Sequence, residues 1–90
     1  MEPKDITPRL LALLAAIAPD IEPASIDPRR DLRDQFDFDS MDTLHFAAAI
    51  SAEFGIDVGE QDYPQLSGLS KACEYVATRL NSPGQSTRGT

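Results

Sequence analysis

Asp39-Ser40-Met41-Asp42 sets a hydroxyl between two carboxylates at the mouth of an amphipathic run that ends at Phe54. Three kinds of chemistry suit such a cluster. Nucleophilic catalysis by Ser40 would need a base in hydrogen-bond reach and donors for an oxyanion. The single histidine, His45, lies five residues on, and a helix rotates it well away from Ser40. No Gly-x-Ser-x-Gly elbow is present, so a serine triad is excluded. Cation binding by Asp37, Asp39 and Asp42 fails because Met41 falls at a ligand position of a calcium loop and no glycine follows at its turn. Asp37-x-Asp39 matches a phosphatase nucleophile pair, but that chemistry needs a parallel sheet behind it. Service as a substrate fits better. The first turn of a helix offers free N–H groups and a positive dipole end, a favourable field for a phosphodiester on Ser40. Asp39 is suited to cap the helix, and Asp39 and Asp42 to help present a metal-bound phosphate donor.

The elements that must hold this cluster are helical. Thr7-Pro8 has the form of a helix start, a hydroxyl cap followed by proline, and Leu10, Leu13, Leu14 and Ile17 recur at helical spacing up to Pro19. From Asp20 to Asp39 no period is sustained, and Ile21, Ile26, Leu32 and Phe36 are the anchors expected to pin this long connection. The spacing predicts a second helix over Ser40–Phe54 with Met41, Leu44, Ala48 and Phe54 on its buried side, widened by Ala47 and Ile50. Gly55 is placed to end it in a left-handed conformation. Glu60 to Gln65 predicts one irregular turn, since Pro64 limits its length. Ser67 is expected to cap a last helix to about Leu80, burying Leu69, Ala72, Cys73, Val76 and Leu80. The prediction is an all-α four-helix bundle, three principal helices and one short one, over residues 1–80. Asn81 to Thr90, rich in Ser, Gly, Pro and Thr, is predicted to be a disordered tail.

Composition narrows the partners. Ninety residues make one domain, with 41% hydrophobic and 26% charged residues. A formal charge of −7 disfavours nucleic acid and anionic lipid and favours proteins with basic patches. One cysteine, Cys73, permits no intrachain disulfide and no cysteine-based metal site, and is expected in the core. The longest apolar stretch, Leu10 to Ala18, is too short to span a bilayer, and the first residues lack a secretory pattern, so a cytoplasmic monomer is expected.

The chain resembles acyl carrier proteins. Asp39-Ser40-Met41-Asp42 is similar to that family's Asp-Ser-Leu signature, with Met in place of Leu. Asp31-Leu32 stands upstream as the family's Asp-Leu does, Glu53-Phe54 closes the second helix, and Ile56-Asp57-Val58 is similar to the segment before the short helix. Leu66-Ser67-Gly68-Leu69 is similar to the apolar-Thr-x-Val segment that opens the last helix. The likeness extends from Thr7 to about Leu80. It implies that Ser40 Oγ receives 4′-phosphopantetheine from coenzyme A through a separate Mg-dependent phosphopantetheinyl transferase, and that the arm's thiol carries acyl groups as thioesters. The protein itself then performs no bond chemistry. The resemblance further implies that acyl-loading and acyl-processing enzymes dock through basic residues beside Ser40, with Asp39, Met41, Asp42, His45, Glu53, Glu60 and Asp62 as candidate contacts.

The departures are specific. The glycine usual two positions before Asp39 is Asp37, flanked by Phe36 and Phe38, so that turn must be rebuilt. Between Asp42 and Glu53 the second helix carries His45, Ala49, Ser51 and Ala52 where the family presents acids. This points to a stand-alone carrier of a specialised lipid or secondary pathway. The rival reading is a non-carrier acidic interaction module in which Ser40 is only a helix cap.

Overall fold

The structure is a computed structural model that describes residues 3–81. Helices α1 (Pro3–Ile17), α2 (Leu32–Gln35), α3 (Ser40–Phe54) and α4 (Leu69–Asn81) are joined by a short 3-10 turn, Pro23–Ser25, and a 3-10 segment, Glu60–Leu66. No strand occurs among the described residues beyond an isolated bridge between Asp31 and Gly68. The all-α architecture with a long first connection is as expected. Of the tail predicted from Asn81 onward, Asn81 is instead the last residue of α4, and residues 82–90 lie outside the described residues.

Helices α1, α3 and α4 enclose one core. Helix α1 contributes Ile6, Leu10 and Leu14, α3 contributes Phe46 and Ile50, and α4 contributes Ala72 and Val76, all fully buried. Each of these side chains larger than alanine stabilises the fold by roughly 1.5–3 kcal/mol through removal of apolar area from water. Helix α1 starts at Pro3, a turn and more before the predicted start, and Pro8 lies inside it. The missing N–H of Pro8 costs one intrahelical bond near the helix start, while the extension brings Ile6 onto the core face one turn before Leu10.

The buried face of α3 differs from the predicted one. Phe46, Ala47 and Ile50 face inward, whereas Met41 and Leu44 are 56% and 42% exposed and Ala48 is exposed. Phe54 is half-buried. The helix is apolar nearly all round, so its periodicity fixes no unique stripe, and the large Phe46 ring decides which side turns in. Gly55 ends α3 at φ 67° as expected, its N–H donating to Ser51 O at 2.9 Å.

Ser67 does not cap α4. It closes the preceding 3-10 segment, its N–H donating to Pro64 O at 3.3 Å, and α4 begins at Leu69. The opening turn of α4 is satisfied from a distance instead, Ser70 N–H donating to Pro28 O at 2.9 Å. Glycine suits position 68 because a Cβ would lie 3.2 Å from Arg30 O, a tight contact that the neighbouring backbone would have to relieve.

The connection before α3 is pinned at Ile21, Ile26 and Leu32, which are buried, and Phe36, which is half-buried. It also contains α2, a single turn that the sequence did not suggest. The side-chain amide of Gln35 fastens it. Its Oε1 accepts from Asp27 N–H at 2.7 Å, and its Nε2 donates to Asp27 O at 2.9 Å and Arg30 O at 3.0 Å.

Candidate functional site

The site begins with the turn that delivers Ser40. Phe36 ends α2 in extended conformation, and Phe38 N–H donates to Phe36 O at 2.8 Å, a three-residue turn centred on Asp37. No non-glycine residue has positive φ among those described, so this turn needs no glycine at Asp37. It drives Phe38 into the core, 4% exposed and edge-on to Phe46 with ring centroids 6.2 Å apart, and leaves Asp39 and Ser40 outside. Phe38 therefore lies beneath the serine as a packing group.

Asp39 then caps α3. Its Oδ1 accepts from Asp42 N–H at 2.9 Å, and Asp42 Oδ2 accepts from Asp39 N–H at 3.2 Å, a reciprocal capping box. Thr43 Oγ1 adds a bond to Asp39 O at 3.3 Å. Capping is thus done by Asp39, and Ser40 is the first helical residue. Its side chain is exposed and its hydroxyl has no hydrogen-bond partner among the described residues. A serine that serves only as a cap would have its oxygen on a backbone N–H. This one points at solvent from a helix start whose N–H groups favour an anion.

A surface groove of about 460 Å³ opens at Ser40. Phe38 and Thr43 line it beside the serine, Asp31 and Arg33 come from the start of α2, and Tyr63, Pro64, Ser67 and Lys71 form the opposite wall. Two other depressions of about 440 and 450 Å³ lie along α4, so size does not single this one out. The hydroxyl at its mouth does. An exposed nucleophilic oxygen, an anion-favouring helix start and an adjoining groove fit a covalent phosphodiester with a long substituent.

A model of the phosphopantetheine attachment site matches residues 8–76. The chain belongs to that family. Phosphopantetheine attachment domains are carriers and not catalysts, and the family implies a phosphopantetheinyl transferase. The interaction-module reading, built on Ser40 as a cap, does not account for this match. Similarity to curated relatives is distant. The chain is 18% identical over 78 residues to "Acyl carrier protein 2, mitochondrial" of Arabidopsis thaliana, covering 87% of this chain and 61% of that protein. It is 25% identical over 75 residues to "Acyl carrier protein, mitochondrial" of Neurospora crassa, covering 83% and 56% respectively. It is 28% identical over 72 residues to "Acyl carrier protein 2" of Pseudomonas aeruginosa, covering 80% and 90%. The chain thus spans about three-fifths of the two mitochondrial relatives it matches. No helix among the described residues is long and apolar enough to cross a membrane.

The other predicted contacts separate into two groups. Met41, His45 and Glu53 are exposed along α3, beside Leu44, which was expected to be buried, and Glu53 Oε2 lies 3.4 Å from Arg9 Nη1. Glu53 lies about 20 Å from Ser40 along the helix axis, at ~1.5 Å rise per residue. Glu60 is exposed at the start of the 3-10 segment. Asp62 is not part of a solvated face. It is 9% exposed, and its Oδ2 accepts from Arg79 Nη2 at 2.6 Å and Tyr75 Oη at 2.7 Å. Its acidity is used internally to fasten the 3-10 segment to α4, which withdraws it as a partner contact. Burial pushes the Tyr75 phenol from an ordinary value near 10 up to about 12, and its bond to Asp62 adds to the rise while Arg79 opposes it. The available signal was Tyr75 and Arg79 at i, i+4, which stack on one face of α4 and reach one acid together.

Cys73 is half-buried, its Sγ 3.4 Å from Thr7 Oγ1 across the α1–α4 contact. Among the described residues no cluster of His, Cys, Asp and Glu is arranged to hold a metal.

Proposed function

We propose that this domain is an acyl carrier, the role that the three relatives' names give to those proteins, with Ser40 Oγ as the point of attachment. In the transfer, Oγ bonds to the phosphorus of coenzyme A's pantetheine phosphate, the bond to the nucleotide portion breaks, and the hydroxyl proton leaves to a base outside this chain. The attached arm supplies a thiol on which acyl groups ride as thioesters. Asp39 holds the helix start open to modification, and Met41 follows the serine as an exposed apolar contact. The exposed hydroxyl at the first residue of a helix capped by its neighbour supports this reading most directly.

Partner enzymes dock on α3 beside the serine. Asp42 and Glu53 mark the ends of this face, His45 lies between them, and Glu60, exposed at the start of the 3-10 segment, is a further contact. Both terminal carboxylates are already engaged, Asp42 with the Asp39 N–H and Glu53 with Arg9, while Met41 and Leu44 stand bare between them. This weights docking toward apolar contact and supports a carrier for a specialised lipid or secondary pathway. Intact-mass measurement after incubation with coenzyme A, Mg²⁺ and a broad-specificity phosphopantetheinyl transferase tests the assignment. The wild type gains one phosphopantetheine and Ser40→Ala gains none. A folded wild type that stays unmodified overturns it.

A further inference from the structure

We propose that the groove at Ser40 is a seat for the arm itself, in which Arg33 and Lys71 hold the phosphodiester and draw the arm back against the protein. The inference rests on Ser40 being the attachment point.

Charge carries the argument. In a chain of formal charge −7, the groove is lined by two cations, Arg33 and Lys71, against the single carboxylate of Asp31. Three other cations are engaged: Arg79 pairs with Asp62, Arg9 with Glu53, and Arg30 Nη2 donates to Asp34 O, while Lys4 and Arg29, also without an ion pair among the described residues, do not line this groove. Among the described residues, neither Arg33 nor Lys71 has a carboxylate within ion-pair distance or a side-chain hydrogen bond. Two uncommitted cations in one depression of an acidic surface are placed for an anion that arrives later. A phosphodiester on Ser40 supplies that anion at the mouth of the same depression.

The backbone makes the seat rigid. Leu32 N–H donates to Ser67 O at 2.7 Å, and Asp31 bridges Gly68, so the two walls are joined at their base. Arg33 directly follows one side of that junction, and Lys71 stands one helical turn beyond the other. The backbone positions from which the two cations extend are therefore tied together by main-chain hydrogen bonds. Tyr63 and Ser67 add an aromatic surface and a hydroxyl on the far wall, a mixed lining suited to an amide-bearing chain.

Amide chemical shifts of the full chain, ¹⁵N-labelled, compared before and after modification, test this, with intact mass confirming complete conversion. A seated arm moves Arg33, Tyr63, Ser67 and Lys71 as well as Thr43. In R33Q/K71Q, where both exposed side chains keep much of their length, the changes at Tyr63 and Ser67 disappear. The modified wild type in about 1 M salt, with a screening length of about 3 Å, shows the same loss without any substitution. Shifts confined to the neighbours of Ser40 in the modified wild type mean a freely swinging arm and overturn the proposal. Absence of any mass gain in the wild type refutes instead the attachment at Ser40, and the groove assignment with it.

Discussion

Asp39 and Asp62 start from the same description in the sequence, an acid at the beginning of a helical segment, and end in opposite roles. Asp39 stays at the surface, its carboxylate closing a capping box with Asp42 and leaving the neighbouring hydroxyl bare. Asp62 is drawn inward because α4 presents a phenol and a guanidinium to it. The first arrangement is local and open, and the second joins two elements and is closed. What separates them is whether a distant element supplies donors, which no window around either residue contains.

The sharpest break in this contrast comes from exchanging stability for modification. Ser40→Ala abolishes phosphopantetheine addition by intact mass while leaving the urea midpoint unchanged, because the hydroxyl bonds nothing among the described residues. Asp62→Ala does the reverse. It leaves Tyr75 and Arg79 without their acceptor and lowers unfolding free energy by about 1–3 kcal/mol in urea denaturation, with modification retained. Gly55→Ala, at φ 67° with open space around its Cβ, loses about 1–2 kcal/mol for purely conformational reasons. Asp39→Ala removes one half of the capping box and loses about 1 kcal/mol, and it also slows modification by loosening the turn that carries Ser40.

The effect with the narrowest reach is a pH dependence of the closed cluster, seen only at alkaline pH. The Tyr75 phenol is raised to about 12 in the folded protein, so above its ordinary value near 10 the unfolded chain has released a proton that the folded one keeps. Stability is therefore fully present below pH 10 and declines as pH rises toward 12. Tyr75→Phe flattens that decline in thermal melts.

The three principal helices were legible in kind, and α3 in its bounds as well, because its local signals agree. The Ser40–Phe54 run, the Asp39 cap and Gly55 each rest on chemistry within one turn of the residue concerned. The inward side of α3 was not, since Met41, Leu44 and Ala48 are as apolar as Ala47 and Ile50, and only the seating of Phe46 separates the two sets. Ser67 misled for a related reason. A hydroxyl before an apolar run is a sound cap signal, but here the carbonyl of Pro28 satisfies the helix start. The serine and its exposure were legible. The groove beside it was not, because it is assembled from residues thirty positions apart, Asp31 and Arg33 against Tyr63 to Lys71.

The Gln35 amide has a consequence for recognition. By joining Asp27 and Arg30 to α2, one side chain converts the stretch leading to the serine from a flexible leash into a preorganised shelf. The entropy of ordering that stretch is spent during folding, so a docking enzyme meets a surface already in shape and surrenders little affinity to arranging it. Gln35→Ala would shift that ordering to the encounter, appearing as slower capture by the transferase with the bundle intact.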